Sequence, residues 1–252
     1  MNILLKLSFD GTAYHGWQIQ ENALSVFRIL QTALEKVLGY HADIHGCSRT
    51  DSGVHARVYC ANFISEKEMT DKDLFKLPLA LNRNLPEDIR VNEAVRVSDD
   101  FHARYSRKGK EYTYYILNSR IDDPFTDRYY HRISAKLDEQ AMDTAASKLV
   151  GTHDFRTFMA AKSKIVDCTR TVYSRSVTRD GDMIRFRISA DGYLYNMVRI
   201  MAGTLIKVGL GNIKAEDIEE IIAACDRSKA GYTAPAKGLF LTDIFYDPEV
   251  FI

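Results

Sequence analysis

The sequence predicts an α+β protein in two parts, with mainly antiparallel sheets and helices packed on one side. Three observations predict it. Strand–helix–strand patterning occurs twice, once before about Arg96 and once after about Asp138. Val172–Thr178 and Met183–Ala190 flank the turn residues Arg179-Asp180-Gly181-Asp182, the pattern of an antiparallel hairpin. The helical segment after Ser25 carries one apolar stripe, which places it on a sheet. At 252 residues, 46% hydrophobic and 27% charged, the chain suffices for one large domain or two smaller ones. No low-complexity linker separates the halves. The junction is read near Asp99–Arg107, dividing residues 1–104 from residues 105–252.

Each element has its own justification. Ile3–Phe9 is a run of buried-strand type, and Asp10-Gly11-Thr12 after it is turn chemistry. An aromatic, polar loop follows and holds Trp17, the one tryptophan, which is either a lid on the core or a platform for a nucleic-acid base. Ser25 caps a helix whose Val26, Ile29, Leu30, Ala33, Leu34, Val37 and Leu38 recur at helical spacing, and Gly39 ends it. Ala42–Gly46 and Val58–Ile64 are strands on either side of a central loop. A helix over about Thr70–Leu81 is expected to bend or break near Pro78. Ile89–Val97 is a strand, and so is the tyrosine-rich Glu111–Asn118, with Tyr112 and Tyr114 on one face and Tyr115 on the other. Asp138–Val150 is a helix with Ala141, Met142, Ala145 and Leu149 inward. Tyr195–Val208 is a long apolar helix closed by Gly209, Ala215–Cys225 a short acidic helix, and Leu239–Tyr246 the final strand.

The formal net charge is +0, so whole-chain charge identifies no partner, but local charge is uneven. Phe101–Arg120 holds five basic residues against one acidic. Arg156–Arg187 holds eight (Arg156, Lys162, Lys164, Arg170, Arg175, Arg179, Arg185 and Arg187) against three. Such segments form either a basic groove for a polyanion or solvated strand edges. The four cysteines, Cys47, Cys60, Cys168 and Cys225, form no C-x-x-C pair, and no secretory signal precedes Met1-Asn2-Ile3. Reduced thiols in a cytoplasmic protein are expected. No run of about 18 apolar residues is present, so no membrane span is expected.

The central loop is Gly46-Cys47-Ser48-Arg49-Thr50-Asp51-Ser52-Gly53-Val54-His55-Ala56. It is dense in reactive side chains and flanked by strands, the usual setting of functional residues. Asp51 beside Arg49 is expected to be ionised, because a neighbouring cation lowers a carboxyl pKa. It is then either a nucleophile or a turn residue satisfying backbone donors. Cys47 is a further candidate nucleophile, with no obvious activating base nearby. Arg199 sits among apolar residues in Tyr195–Gly203, and a buried guanidinium needs a carboxylate partner. Asp51 is that partner, or else Arg199 snorkels to water. The chain has no G-x-x-x-x-G-K-[ST] phosphate loop and no convincing metal-ligand cluster.

The loop resembles the G-x-x-R-T-D-x-G-V-H-A box of the TruA-type tRNA pseudouridine synthases. The resemblance extends over nearly the whole chain. Phe9–Gln18 resembles that family's opening, and Asp100-Phe101-His102-Ala103-Arg104 and Tyr112-Thr113-Tyr114 its middle blocks. Met197-Val198-Arg199 with Val208-Gly209 resembles its buried helix, and Ala234–Leu241 its last strand. The resemblance implies the pseudouridine synthase fold, with an active-site cleft between the halves. It implies that Asp51 attacks C6 of the uracil or C1′ of the ribose. It implies that Tyr112 packs on the uracil, that Arg49 fills the place of the everted base, and that Arg199 pairs with the aspartate. Leu239 or Leu241 lines the pocket floor. The implied enzyme works on uridines 38, 39 and 40 of the tRNA anticodon stem-loop. It acts as a cytoplasmic homodimer, without cofactor or metal. The sequence departs from the pattern at Phe27, where glutamine is usual, and at Ser48, Ser52, Arg57 and Cys60 around the loop. Phe27 and Arg57 bear on which RNA site is preferred.

Two rival readings differ in class. Asp51-Ser52-Gly53 matches the D-[ST]-G triplet of aspartic proteases, but the chain has no second copy, and a nearby arginine would spoil the shared proton of such a pair. A non-catalytic RNA-binding module would use Tyr112-Thr113-Tyr114-Tyr115 on an RRM-like sheet and leave the RNA unchanged.

Overall fold

The structure, a computed structural model, describes residues 1–21, 23–161 and 165–251. In chain order the regular elements are β1 (Asn2–Phe9), α1 (Val26–Leu38), β2 (Ile44–Gly46), β3 (His55–Ile64), α2 (Asp71–Asn82), β4 (Ile89–Val97), β5 (Arg107–Leu117), β6 (His131–Arg132), α3 (Glu139–Ser147), β7 (Gly151–Asp154), β8 (Thr169–Asp180), β9 (Met183–Ala190), α4 (Met197–Gly209), α5 (Ile218–Ala223) and β10 (Leu239–Tyr246). Two compact units divide them. One is Met1–Lys108 with the chain from Leu241 onward, and the other is Gly109–Phe240.

In the first unit the strands run β4-β1-β3-β10, with β2 paired to β3. β1 is antiparallel to both β3 and β4. Ile3, Leu4, Leu5 and Leu7 are fully buried, as a strand covered on both faces requires. α1 has the expected ends. The Ser25 hydroxyl accepts from the Arg28 N–H at 3.3 Å, and Gly39 adopts φ 79° while its N–H donates to the Glu35 carbonyl at 2.8 Å. α2 does not break at Pro78 but runs through it to Asn82. Proline removes one intrahelical bond, but a Thr70–Asp73 capping box and the buried Leu74, Leu77 and Leu81 hold the helix together.

In the second unit the strands run β5-β9-β8-β7, antiparallel throughout, with the two-residue β6 parallel to β5. The β8–β9 hairpin turns where expected, with Asp180 opposite Met183 and Gly181 at φ 58°. Tyr112 and Tyr114 are buried, opposite Ile188 and Phe186 of β9. α4 includes Gly209 rather than stopping before it. A β-carbon there would lie 2.8 Å from the Met142 sulfur, so this glycine serves close helix packing, not capping. The acidic helix is shorter than expected, a 3-10 turn at Ala215–Asp217 followed by α5.

The basic stretch of this unit is largely neutralised. Arg175 pairs with Asp143, Arg179 with Glu139 at 3.0 Å, Arg185 with Asp180 at 2.9 Å, Arg187 with Glu111 at 3.5 Å and Arg156 with Asp154 at 3.3 Å. Lys162 and Lys164 lie outside the described residues. Counting charge along the strands overstates the field because carboxylates from α3, β5 and β7 lie against it.

Candidate active site

The Gly46–Ala56 loop joins β2 to β3 and is gripped by the loop that follows β1. Tyr14 is the clasp. Its carbonyl accepts from the Gly53 N–H at 3.1 Å and the Ser52 hydroxyl at 3.4 Å. Its own phenol donates to Asp88 at 2.6 Å. Burial first, then the Asp88 carboxylate, push that phenol's pKa well above the ordinary range, so it remains a donor. Two glycines let the backbones meet. A β-carbon on Gly11 would come within 2.0 Å of the Val54 carbonyl oxygen, and one on Gly16 within 2.1 Å of that of Thr50. Gly16 also adopts φ 79°, which L side chains rarely take.

Asp51 begins a tight turn closed by the main chain. The Val54 N–H donates to the Asp51 carbonyl at 3.2 Å, and Gly53 adopts φ 76°. Asp51 is half-buried and Arg49 exposed. At the far side of the turn the fully buried His55 places Nδ1 3.0 Å from both the Gly11 N–H and the Asp10 carboxylate. At the near side Tyr59 donates its hydroxyl to the Ser48 carbonyl. Trp17 stacks on Tyr59 at 4.2 Å, only 5% exposed, and Phe27 meets Trp17 edge-on at 5.7 Å. Trp17 is therefore a lid on the core, and Phe27 contributes packing at the position where the family pattern has a polar residue.

Cys47 is fully buried, and its N–H donates to the Cys60 carbonyl at 2.8 Å. Burial, and secondarily Cys47, push the Cys60 thiol far above its ordinary range. Cys47, itself part of the loop, is thus sealed in the core and not presented as a nucleophile.

Tyr112 and Arg199 belong to the second unit. Tyr112 is 6% exposed, and its ring meets Tyr193 edge-on at 5.2 Å. The Lys110 ammonium lies 5.6 Å from the centre of each ring. Tyr193 is anchored by donating to the Ile188 carbonyl at 2.8 Å, and burial raises its pKa. Arg199 does not simply snorkel. Its Nε donates to the Ala234 carbonyl at 2.8 Å and one terminal nitrogen to the Asn196 side chain at 2.7 Å. The next carbonyl, of Pro235, accepts from the Tyr114 phenol at 2.8 Å, so one short segment ties α4 to β5. That segment approaches α4 closely because a β-carbon on Gly203 would strike the Tyr232 carbonyl at 1.9 Å. Leu239 and Leu241 are both buried.

Asp10, Tyr14, Gly16 and His55 lie in segments that the sequence comparison singles out, yet their supporting roles were not legible there. The two glycines in the first loop and the His after Gly53-Val54 were the available signal. No helix among the described residues is long and apolar enough to cross a membrane.

Comparison with known proteins adds a second line. The family model described as tRNA pseudouridine synthase matches residues 7–106 and 145–247. The chain is 48% identical over 245 residues to tRNA pseudouridine synthase A of Thermoanaerobacter sp. (strain X514), covering 97% of this chain and 99% of that protein. Identity and coverage are the same for the protein of that name from Thermoanaerobacter pseudethanolicus. The protein of that name from Acetivibrio thermocellus is 43% identical over 245 residues, with 97% and 99% covered.

Proposed function

Because this chain belongs to the tRNA pseudouridine synthase family, a class of isomerases, we propose that it converts uridine to pseudouridine at positions 38, 39 and 40 of the tRNA anticodon stem-loop, with Asp51 as nucleophile. The target base lies in a stacked arm and is first flipped out, at a cost of about a few kcal/mol. The Asp51 carboxylate attacks C6 of the uracil or C1′ of the ribose. The N1–C1′ bond breaks, the uracil turns, and a C5–C1′ bond forms. The C5 proton leaves and N1 gains one. Substrate and product are isomers, so no oxidant, reductant or nucleotide triphosphate enters the balance.

In this reading Arg49 occupies the gap left by the everted base, Tyr112 packs on the uracil, Arg199 pairs with Asp51, and Leu239 or Leu241 lines the floor. The enzyme acts in the cytoplasm as a homodimer. The observation that carries the reading is the Arg49-Thr50-Asp51 turn, whose backbone is fixed by Tyr14, Gly11 and Gly16. A nucleophile held this way needs little reorganisation to reach its target.

The test is tritium release from tRNA labelled at C5 of uridine, for wild type and Asp51→Ala side by side. Release by wild type alone, with the modified positions mapped to 38, 39 and 40, supports the reading. Release by both variants removes Asp51 as nucleophile. Binding of unmodified tRNA with no release from either variant favours the RNA-binding-module alternative.

A further inference from the structure

Beside the Asp51 turn, wholly within the first unit, lies a hollow of about 450 Å³ lined in part by His45, Ser48, Arg49, His102, Arg104 and Tyr105. The volume falls within the roughly 300–1,000 Å³ of ordinary ligand sites. Three side chains form a pile along it. The His45 and His102 rings stack at 4.7 Å and 27°, and His102 meets Tyr105 at 4.5 Å. Tyr105 ends the pile and is 74% exposed. The Arg104 guanidinium lies 5.6 Å from its ring centre. Neither Arg49 nor Arg104 has a carboxylate partner among the described residues, unlike the paired arginines of β8 and β9.

The loop that carries this pile is rigidly mounted. Phe101 and Ala103 are buried. The Asn2 and Asn62 side chains, both buried, donate to the Phe101 carbonyl at 2.8 and 3.3 Å. The Ala103 N–H donates to the Asn62 side chain at 2.8 Å, and the Tyr246 phenol donates to the Ala103 carbonyl at 2.7 Å. Within the loop the Tyr105 and Ser106 N–H groups both donate to the His102 carbonyl. Burying two asparagines is costly unless their polar atoms are satisfied, and here the loop backbone satisfies them. The result presents His102, Arg104 and Tyr105 outward from a fixed frame.

We infer that this pile and Arg104 form a binding site for one unstacked RNA nucleotide next to the target uridine, whose base stacks on Tyr105 and whose phosphate meets Arg104. Aromatic side chains bind unpaired bases through their faces, and a guanidinium suits phosphate in two-pronged geometry. The hollow adjoins the loop that carries Asp51 and so suits a neighbour of the reacting nucleotide. The inference rests on the proposed isomerase reading for the identity of the RNA.

Tyr105 and Arg104 are exposed, so Tyr105→Ala and Arg104→Gln should fold. Each variant is assayed for tritium release against anticodon-arm RNA, separating KM from kcat. In parallel, RNA carrying 5-iodouridine one nucleotide to either side of the target is photo-crosslinked to the wild-type protein and the adduct mapped. The expected result is a KM raised about 5- to 100-fold for Tyr105→Ala, the loss of one base stack, with kcat nearly unchanged and an adduct at Tyr105 or His102. Wild-type KM in both variants, with no adduct in the 101–106 loop, overturns the inference while leaving the isomerase reading intact. An adduct at Tyr105 from a protein that releases no tritium overturns the isomerase reading and keeps the RNA site.

Discussion

The α-carbon of Gly16 packs against the Thr50 carbonyl so closely that a β-carbon there would lie 2.1 Å from its oxygen. Two loops far apart in sequence are thereby locked together one residue before the proposed nucleophile.

Gly16→Ala tests that lock. Alanine at φ 79° costs about 1–3 kcal/mol in backbone strain, before the collision with Thr50 is relieved. Moving the Asp51 turn by about 1 Å can cost about 100-fold in rate. The expected outcome is a melting temperature lower by several degrees and a loss of tritium release out of proportion to it. A variant with wild-type rate would show that the turn tolerates displacement.

Arg199→Ala removes the donors to the Ala234 carbonyl and Asn196. Charge-assisted bonds of this kind are worth about 1.5–3 kcal/mol, so thermal stability should fall. The proposed pairing with Asp51 makes a further, separable prediction. A double-mutant cycle with Asp51→Ala, read by denaturant unfolding, should give a coupling of about 0.5–3 kcal/mol. Additivity would limit Arg199 to tethering the segment after Thr233.

Asn62→Ala should loosen the 101–106 loop. It leaves the Ala103 N–H without its acceptor and removes donors to Asn2 and the Phe101 carbonyl. A buried group left unsatisfied costs about 1–3 kcal/mol. Hydrogen exchange at Ala103, Tyr105 and Ser106 should accelerate more than global unfolding explains. Exchange unchanged at these amides would mean that Asn2 and Tyr246 hold the loop without Asn62.

His102 should titrate below the ordinary histidine value of 6.5. Burial is the first cause, and electrostatic repulsion from His45 and Arg104 adds to it. Since the folded value lies below the unfolded one, the unfolded chain binds the proton more tightly. The stabilising effect is complete above pH 6.5 and is lost as the pH falls through the folded value. Two-dimensional NMR of the imidazole signals would give the midpoint, and His45→Gln should move it upward. A midpoint at or above 6.5 in wild type would contradict the stacked arrangement.

Local rules made much of the chain legible from sequence. The Val26–Leu38 helix follows from its apolar spacing, its Ser25 cap and Gly39. The β8–β9 hairpin follows from alternation around Asp180-Gly181. The Arg49-Thr50-Asp51 loop is recognisable because its chemistry is contiguous. These features depend on residues within a few positions of one another, where periodicity and turn preference act.

What tertiary structure alone decided is which distant groups meet. β6 and β7, two and four residues long, have no periodicity to read and exist through their partners β5 and β8. The charge on β8 and β9 was equally a basic groove or solvated strand edges in sequence, and only the fold brings Asp143 and Glu139, on α3, against Arg175 and Arg179. Cys47 is a candidate nucleophile without an evident base in sequence, and burial removes it as one. The His45–His102 stack joins residues on two separate segments, with no pattern linking them in sequence. Sequence determines which side chains are apolar, charged or reactive, whereas pairing and burial are settled only when the chain closes on itself, because they depend on distance in space and not along the backbone.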